Sequence, residues 1–346
     1  MRIVVLAGGT STERDVSISS GLLVAAALRE KGHEVVLLDV YKGYEQDICD
    51  VDALFKENYS FTDSIKVGDT ISDIDEIREQ RRDKSNRWLG ENIIDICACA
   101  DIIFLALHGG AGENGQIQAT LDLLGLKYTG SGYLGSALAM NKGITKSVLI
   151  QHGVLTPAGS VFKSFDHAMA WNRFPCVVKP CSGGSSVGIT IARDEAQFKS
   201  SVKEAFGYGE NEIVVEEYIK GREFSVGLLG GRALPPIEII PNEGFYDYKT
   251  KYQAGAARDV CPADITEAED RTMREAAVSS YNALRLESYA RIDFILTEDG
   301  KAYCLEANTL PGMTPTSLLP QEAKVEGIGY PDLCQQIVDI SLKKYQ

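Results

Sequence analysis

The chain has 346 residues, with 35 lysines and arginines against 49 aspartates and glutamates, for a formal net charge of −14. That length exceeds what one hydrophobic core sustains, so two or three packed lobes are expected, and 44% hydrophobic against 24% charged residues excludes wholesale disorder. The acidic balance argues against nucleic acid or another polyanion as a partner, while leaving room for a local basic cleft that takes phosphates.

The longest apolar run, residues 93–107, is interrupted by Asp95 and Asp101 and is too short to span a bilayer. The opening residues break at Gly8 and Gly9 after a short apolar run, which reads as a strand and not as a signal peptide. Eight scattered cysteines without a Cys-x-x-Cys pair read as reduced thiols of a cytoplasmic protein, with neither a zinc site nor a disulfide framework.

In chain order, residues 2–7 form a strand, Gly8-Gly9-Thr10-Ser11 a tight turn, and a helix runs to Lys31, with Ser17 as N-cap and Gly32 as stop. A second strand spans 34–40. Residues 45–92 are crowded with charge and read as a solvated insertion carrying one amphipathic helix and no chemistry. A buried strand within 93–107 then ends at His108-Gly109-Gly110, and 115–125 forms a short helix with Ile117, Leu121 and Leu124 on one face. This β-α-β beginning predicts an α/β protein whose N-terminal domain, 1–130, is a doubly wound parallel sheet.

A middle domain, 131–211, opens with a helix over 142–152, closed by Gly153; strands follow at 158–162, 175–179 and 187–192, then a helix over 194–206. The last domain, 212–346, holds strands at 212–219, 223–229, 235–240, 289–296 and 301–307 and a helix over 266–285. A final helix starts at Pro331, with Lys343 and Lys344 suiting its C-terminal dipole.

The most informative segment is a hairpin. Two strand-like runs flank Asp299-Gly300, a strong two-residue turn signal. Cross-strand partners then have numbers summing to 599, which sets Asp293 opposite Glu306 and Arg291 opposite Asn308, all on one face. Opposed carboxylates repel unless a cation lies between them. Asp, Glu and Asn offer only oxygen, the donor set of Mg²⁺, with phosphate oxygens and water completing its octahedron. A solvated charged hairpin is the alternative; the apolar neighbours and the co-facing Arg291 favour the metal.

Lys179-Pro180-Cys181-Ser182-Gly183-Gly184-Ser185-Ser186-Val187-Gly188 resembles a phosphate-cradling loop. It is not a Walker A loop, since no Gly-Lys-Ser/Thr opens a helix, and a plain glycine-rich hairpin fits equally. Glycine-rich turns also end strands at Gly8-Gly9-Thr10-Ser11-Thr12-Glu13, His108-Gly109-Gly110-Ala111-Gly112-Glu113 and Thr309-Leu310-Pro311-Gly312-Met313-Thr314, where open α/β sheets bind ligands. Glu13 and His108 are therefore substrate candidates, although His108 equally suits the end of a buried strand. Asp39 reads as structural. The first turn lacks Gly-x-Gly-x-x-Gly, so an NAD oxidoreductase is remote. The tyrosine-rich stretch 242–255 suits either a closing loop or a surface loop.

Taken in order, Gly8-Gly9-Thr10-Ser11-Thr12-Glu13-Arg14-Asp15-Val16-Ser17, Leu107-His108-Gly109, Tyr128-Thr129-Gly130-Ser131-Gly132, Met140-Asn141-Lys142, Lys179-Pro180, Gly184-Ser185-Ser186-Val187-Gly188, Tyr246-Asp247-Tyr248, Lys251-Tyr252, Arg291-Ile292-Asp293 and Glu306-Ala307-Asn308-Thr309 resemble the D-alanine–D-alanine ligase family of the ATP-grasp superfamily over nearly the whole chain. The resemblance implies an ATP-grasp fold, with ATP phosphorylating one D-alanine and a second displacing the phosphate, for peptidoglycan precursors in the cytoplasm. It implies Glu13 on the first ammonium, His108 near its carboxyl group, and Ser317 on the second carboxylate. Lys142, Lys179 and Lys251 would meet ATP phosphates under the Ser185-Ser186 loop. Adenine would lie beside Glu216 and Ile219, with Glu223 on the ribose. Arg291 and the Gly312 N–H would stabilise the oxyanion, while Asp293, Glu306 and Asn308 would hold two Mg²⁺, or Mn²⁺. Tyr252, paired with Ser185, implies an amine acceptor; D-lactate is disfavoured and D-serine is not excluded.

A homodimer is usual where this resemblance holds, and no nucleic-acid or membrane partner is implied. Gly183 stands where the family often has an acidic residue, Arg14 where histidine is frequent, and the insertion 45–92 is longer than in many members. A nucleotide-binding protein without catalysis is the rival from another class, and the Arg291, Asp293, Glu306 and Asn308 set counts against it.

Overall fold

The structure, a computed structural model, describes residues 1–48, 50–62, 73–184, 188–241 and 257–346. The chain divides into two compact units: Met1–Ser136, Leu286–Ala290 and Thr309–Gln346 form the first, and Ala137–Arg285 with Arg291–Asn308 the second.

The first unit is built on a parallel sheet in the order Glu34–Asp39, Arg2–Ala7, Ile102–Leu105. Its strands are near-continuous Val/Ile/Leu runs buried almost throughout, as a parallel sheet covered on both faces requires. The helix Arg14–Glu30 crosses over between the first two strands and packs against the helix Tyr330–Leu342. It begins before the expected cap. Ser17 is fully buried inside it, accepting from the Gly8 N–H at 2.9 Å and donating to the Ala106 carbonyl at 2.6 Å. The serine thus ties two strand ends together and caps nothing. Asp39 is structural, as expected: it accepts from the buried Arg14 guanidinium and from the N–H groups of Tyr41 and Lys42.

Two further expectations change, and a third, the buried strand within 93–107, holds with a helix added before it. The described part of the insertion holds two short helices, Val51–Lys56 and Ile74–Gln80, each started by an aspartate N-cap (Asp50 and Asp73). The run 93–107 is a helix, Ile93–Cys97, and then the strand. In the helix Gln116–Leu123, Ile117 and Leu121 are buried, but Leu124 is the C-cap and stays 47% exposed.

The second unit contains a four-stranded sheet in the order Gly159–Phe162, Ile213–Glu217, Cys176–Pro180, Thr190–Ala192, with antiparallel pairs throughout. Ile213–Glu217, grouped from sequence with the later strands, therefore pairs inside this sheet. Behind it the helix Glu195–Gly207, N-capped by Asp194, buries Phe198, Val202 and Ala205 against Val178, Val215 and Trp171. The second sheet runs Ala257–Val260, Ile237–Pro241, Arg222–Leu229, Tyr289–Leu296, Ala302–Asn308, with Arg232–Ala233 pairing off Arg222–Leu229. The helix Glu267–Ala283, opened by a Thr266–Glu269 capping box, packs on it. A helix over Tyr133–Met140 was not foreseen; Gly135 in its interior weakens its propensity signal.

The key hairpin has the anticipated pairs by a different route. Arg291 pairs with Asn308 and Asp293 with Glu306, but beyond them Phe294 pairs with Cys304 and Leu296 with Ala302, one residue out of step. The turn is therefore not the two-residue Asp299-Gly300. It closes through Thr297 N–H to the Lys301 carbonyl at 3.0 Å, with Gly300 at φ +76°, a three-residue loop with glycine in the left-handed region. Leu305, left unpaired in a β-bulge, restores the register.

Candidate active site

Within the second unit, Asp293 is 5% exposed and lies at the centre of a polar network. Its Oδ1 accepts from Ser225 Oγ at 2.8 Å and Arg291 Nε at 2.9 Å, and its Oδ2 from Arg291 Nη2 at 2.8 Å and Asn308 Nδ2 at 3.1 Å. Across the hairpin Glu306 stands 3.6 Å from the ammonium of Lys142, which also donates to the Gly183 carbonyl at 2.7 Å. Asn141 caps the helix that carries Lys142. The glycine loop thus approaches the carboxylate face through a lysine.

A second network lies on the neighbouring sheet. Glu216 is 2% exposed and is gripped from two sides, by Lys179 at 2.5 Å and Lys146 at 2.8 Å. Burial pushes the Glu216 carboxyl up, but the two ammonium groups outweigh it and hold the acid below its ordinary value. Lys146 is drawn below the usual lysine range by burial, which Glu216 only partly offsets. Lys146 also donates to Thr156 Oγ1 at 2.9 Å and to the Pro157 carbonyl.

These networks share a cavity of about 340 Å³, whose lining includes Lys179, Glu216, Ile219, Glu223, Asp293 and Glu306. Six residues singled out in the sequence thus meet in one space. Its walls combine apolar Val177, Ile189 and Ile239 with the Arg222–Glu238 pair, a bidentate ion pair at 2.6 and 2.7 Å. Lys142 lines a smaller space with Gly183, Gly184 and Glu306. A cavity lined by both apolar and charged side chains suits a flat base and its phosphates.

In the first unit Glu13 is the N-cap residue of the helix Arg14–Glu30, and a Cβ on Gly109 would stand 3.1 Å from its Oε2. Ser11 Oγ donates to the His108 carbonyl at 2.5 Å, joining the two glycine-rich turns. His108, 8% exposed, bonds the Leu310 carbonyl through Nδ1 at 3.0 Å. The third turn adjoins it: Glu113 accepts from the Gly109 N–H at 3.0 Å and the Leu310 N–H at 3.3 Å. Farther along, Ser317 Oγ accepts from the Thr314 N–H at 3.1 Å, and a Cβ on Gly312 would stand 2.8 Å from that oxygen. Ser185, Ser186, Lys251 and Tyr252 lie outside the described residues, as does the tyrosine-rich stretch 242–255.

Three contributors escaped the sequence reading. Lys146 follows Lys142 by four residues, hence on one helical face; Ser225 follows Glu223 by two, hence on one strand face; Glu113 closes a turn already singled out. Spacing was the available signal for the first two, and place in the turn for Glu113.

A hard divalent cation takes oxygen donors, which two opposed carboxylates and an amide supply. Among the described residues no cluster of three or more Asp, Glu, His or Cys side chains is placed to hold a metal, so any cation here would rest on Asp293, Glu306 and the Asn308 amide. No helix among the described residues is long and apolar enough to cross a membrane.

The mixed α/β architecture, with two antiparallel sheets around a charged cavity, is that of the ATP-grasp fold. Residues 2–131 match the family model described as D-ala D-ala ligase N-terminus, and residues 148–339 that described as D-ala D-ala ligase C-terminus. The chain is 46% identical to a D-alanine--D-alanine ligase of Pediococcus pentosaceus, covering 98% of this chain and 97% of that one, and 44% identical to that of Lacticaseibacillus casei, covering 100% and 97%. The solved D-alanine--D-alanine ligase of Bacillus anthracis complexed with ATP superposes with a TM-score of 0.73 at 30% identity, covering 99% of this chain and 98% of that one. That of Coxiella burnetii gives 0.76 at 27%, covering 100% and 95%. The chain belongs to the D-alanine–D-alanine ligase family.

Proposed function

We propose that this chain joins two molecules of D-alanine into D-alanyl-D-alanine at the expense of ATP, releasing ADP and phosphate, as a step toward peptidoglycan in the cytoplasm. The observation that carries the reading is the single cavity lined by Lys179, Glu216, Ile219, Glu223, Asp293 and Glu306. An amine does not displace a carboxylate oxygen, so the oxygen must first become a phosphate. One carboxylate oxygen of the first D-alanine bonds to the γ-phosphorus and ADP leaves. The amine of the second then attacks the carboxyl carbon, and the carbon–oxygen bond to phosphate breaks.

The protein's part is to position the reactants and to neutralise charge. In this proposal Glu13 holds the first ammonium, His108 lies near its carboxyl group, and Ser317 takes the carboxylate of the second. Lys142, Lys179 and Lys251 take phosphate oxygens beneath Ser185 and Ser186. Glu216, Ile219 and Glu223 place the adenosine. Arg291 and the Gly312 N–H meet the oxyanion, and Tyr252 with Ser185 selects an amine acceptor. Asp293, Glu306 and Asn308 would hold two Mg²⁺, or Mn²⁺, which when bound neutralise phosphate charge. The functional form is a homodimer.

Phosphate release from ATP and Mg²⁺ should depend on D-alanine, and mass detection should show the D-alanyl dipeptide. L-alanine should give nothing, and D-lactate far less than D-alanine. Release without D-alanine dependence would sink the substrate assignment.

A further inference from the structure

The charged insertion, read from sequence as having no chemistry, delivers one aromatic side chain to the glycine-rich turn. Arg81, 1% exposed, donates to the carbonyls of Arg87 and Leu89 and lies over the Tyr41 ring at 4.5 Å. Those carbonyls flank Trp88. Just beyond it the Gly90 N–H donates to the Val40 carbonyl at 2.9 Å, and a Cβ on Gly90 would stand 2.4 Å from the Gly43 nitrogen, a crossing that needs glycine. The segment is fixed on both sides of Trp88.

Trp88 Nε1–H donates to Thr10 Oγ1 at 3.2 Å, and its Cζ2 would lie 3.5 Å from a Cβ on Gly9. Between Trp88 and the turns lies a cavity of about 40 Å³, lined also by Gly9, Ser11, His108 and Gly109. A space of that size suits a small group such as a methyl.

We propose that Trp88 is a specificity-determining wall of the subsite for the first amino acid, restricting it to a methyl side chain, and that Arg81 is the positioning residue that holds the wall in place. The proposal rests on the ligase reading. It has a signature that a merely structural role lacks, because the first amino acid becomes the amino-terminal residue of the product. Offered D-alanine and D-2-aminobutyrate together, the parent protein should place D-alanine at the amino end.

Trp88→Ala should raise the share of products with D-2-aminobutyrate at the amino end by about tenfold, the scale of one methylene in an apolar pocket. Composition at the carboxyl end should not change. Trp88→Phe, which keeps a ring there, should stay close to the parent, and Arg81→Met should move in the direction of Trp88→Ala.

An unchanged amino-end composition in Trp88→Ala, with D-alanyl-D-alanine still formed, overturns the proposal alone; absence of any dipeptide from the parent protein overturns the ligase reading with it. A second test needs no folded Trp88→Ala variant. The chain has two tryptophans, so in a Trp171→Phe background Trp88 is the sole tryptophan and is excited apart from the tyrosines at the red edge of the absorption band. Its fluorescence should respond to D-alanine with a non-hydrolysable ATP analogue, and not to L-alanine. Emission indifferent to D-alanine also overturns the proposal.

Discussion

Glu306→Gln should abolish ligation while leaving the fold in place. The side chain is half-buried and faces Asp293 across the hairpin and the ammonium of Lys142. The substitution keeps its volume and one oxygen and removes the negative charge. If that charge holds a cation against the phosphates, its loss forfeits several kcal/mol of transition-state stabilisation; roughly 4 kcal/mol corresponds to about 10³-fold in rate. Steady-state phosphate release at saturating D-alanine measures the loss, and a thermal melt checks the fold. A variant retaining most of its turnover would remove Glu306 from the chemistry.

Glu216→Ala should cost more in stability than any surface change. The carboxylate lies between two buried ammonium groups, and removing it leaves Lys146 and Lys179 facing each other without compensation. Breaking a buried pair from one side costs about 3–5 kcal/mol. Adding Lys146→Met should recover part of that loss, because the two sites are coupled. The same network sets a pH dependence. The Glu216 acid is held below its ordinary 4.5, so its contribution is present above that value and fades as pH falls through the lower folded one. Lys146 is held below 10.5, so the folded state gives up this proton before the unfolded chain does, and stability from this group rises with pH in the window just below 10.5. Urea denaturation of parent and variant checks both; a Glu216→Ala variant as stable as the parent would mean that the lysines find other partners.

The sequence made the site more legible than the turns that build it. Strand-like apolar runs and turn glycines located most strands of the two antiparallel sheets, although Arg232–Ala233 and Ala257–Val260 were missed, and the pairing of Asp293 with Glu306 was anticipated. It was anticipated through a wrong turn, however. A bulge at Leu305 compensates a loop one residue longer than expected, and no local residue preference announces a bulge in an apolar strand. Ser17 looked like a cap because serine prefers that position, but two buried backbone groups claimed its hydroxyl. The grouping of Ile213–Glu217 depends on long-range pairing that spacing does not encode. The insertion misled most: a dense run of charge reads as a solvated face, yet Arg81 inside it is buried and serves to place Trp88.

The central claim is that the carboxylate of one D-alanine is phosphorylated before the peptide bond forms. D-alanine carrying ¹⁸O in both carboxylate oxygens, turned over with unlabelled ATP, tests it most directly. If the acyl phosphate forms, the bridging oxygen departs with phosphorus, and each phosphate released carries one ¹⁸O. Phosphate without label, alongside labelled dipeptide, would mean that the carboxylate never bonds to phosphorus and would contradict the account.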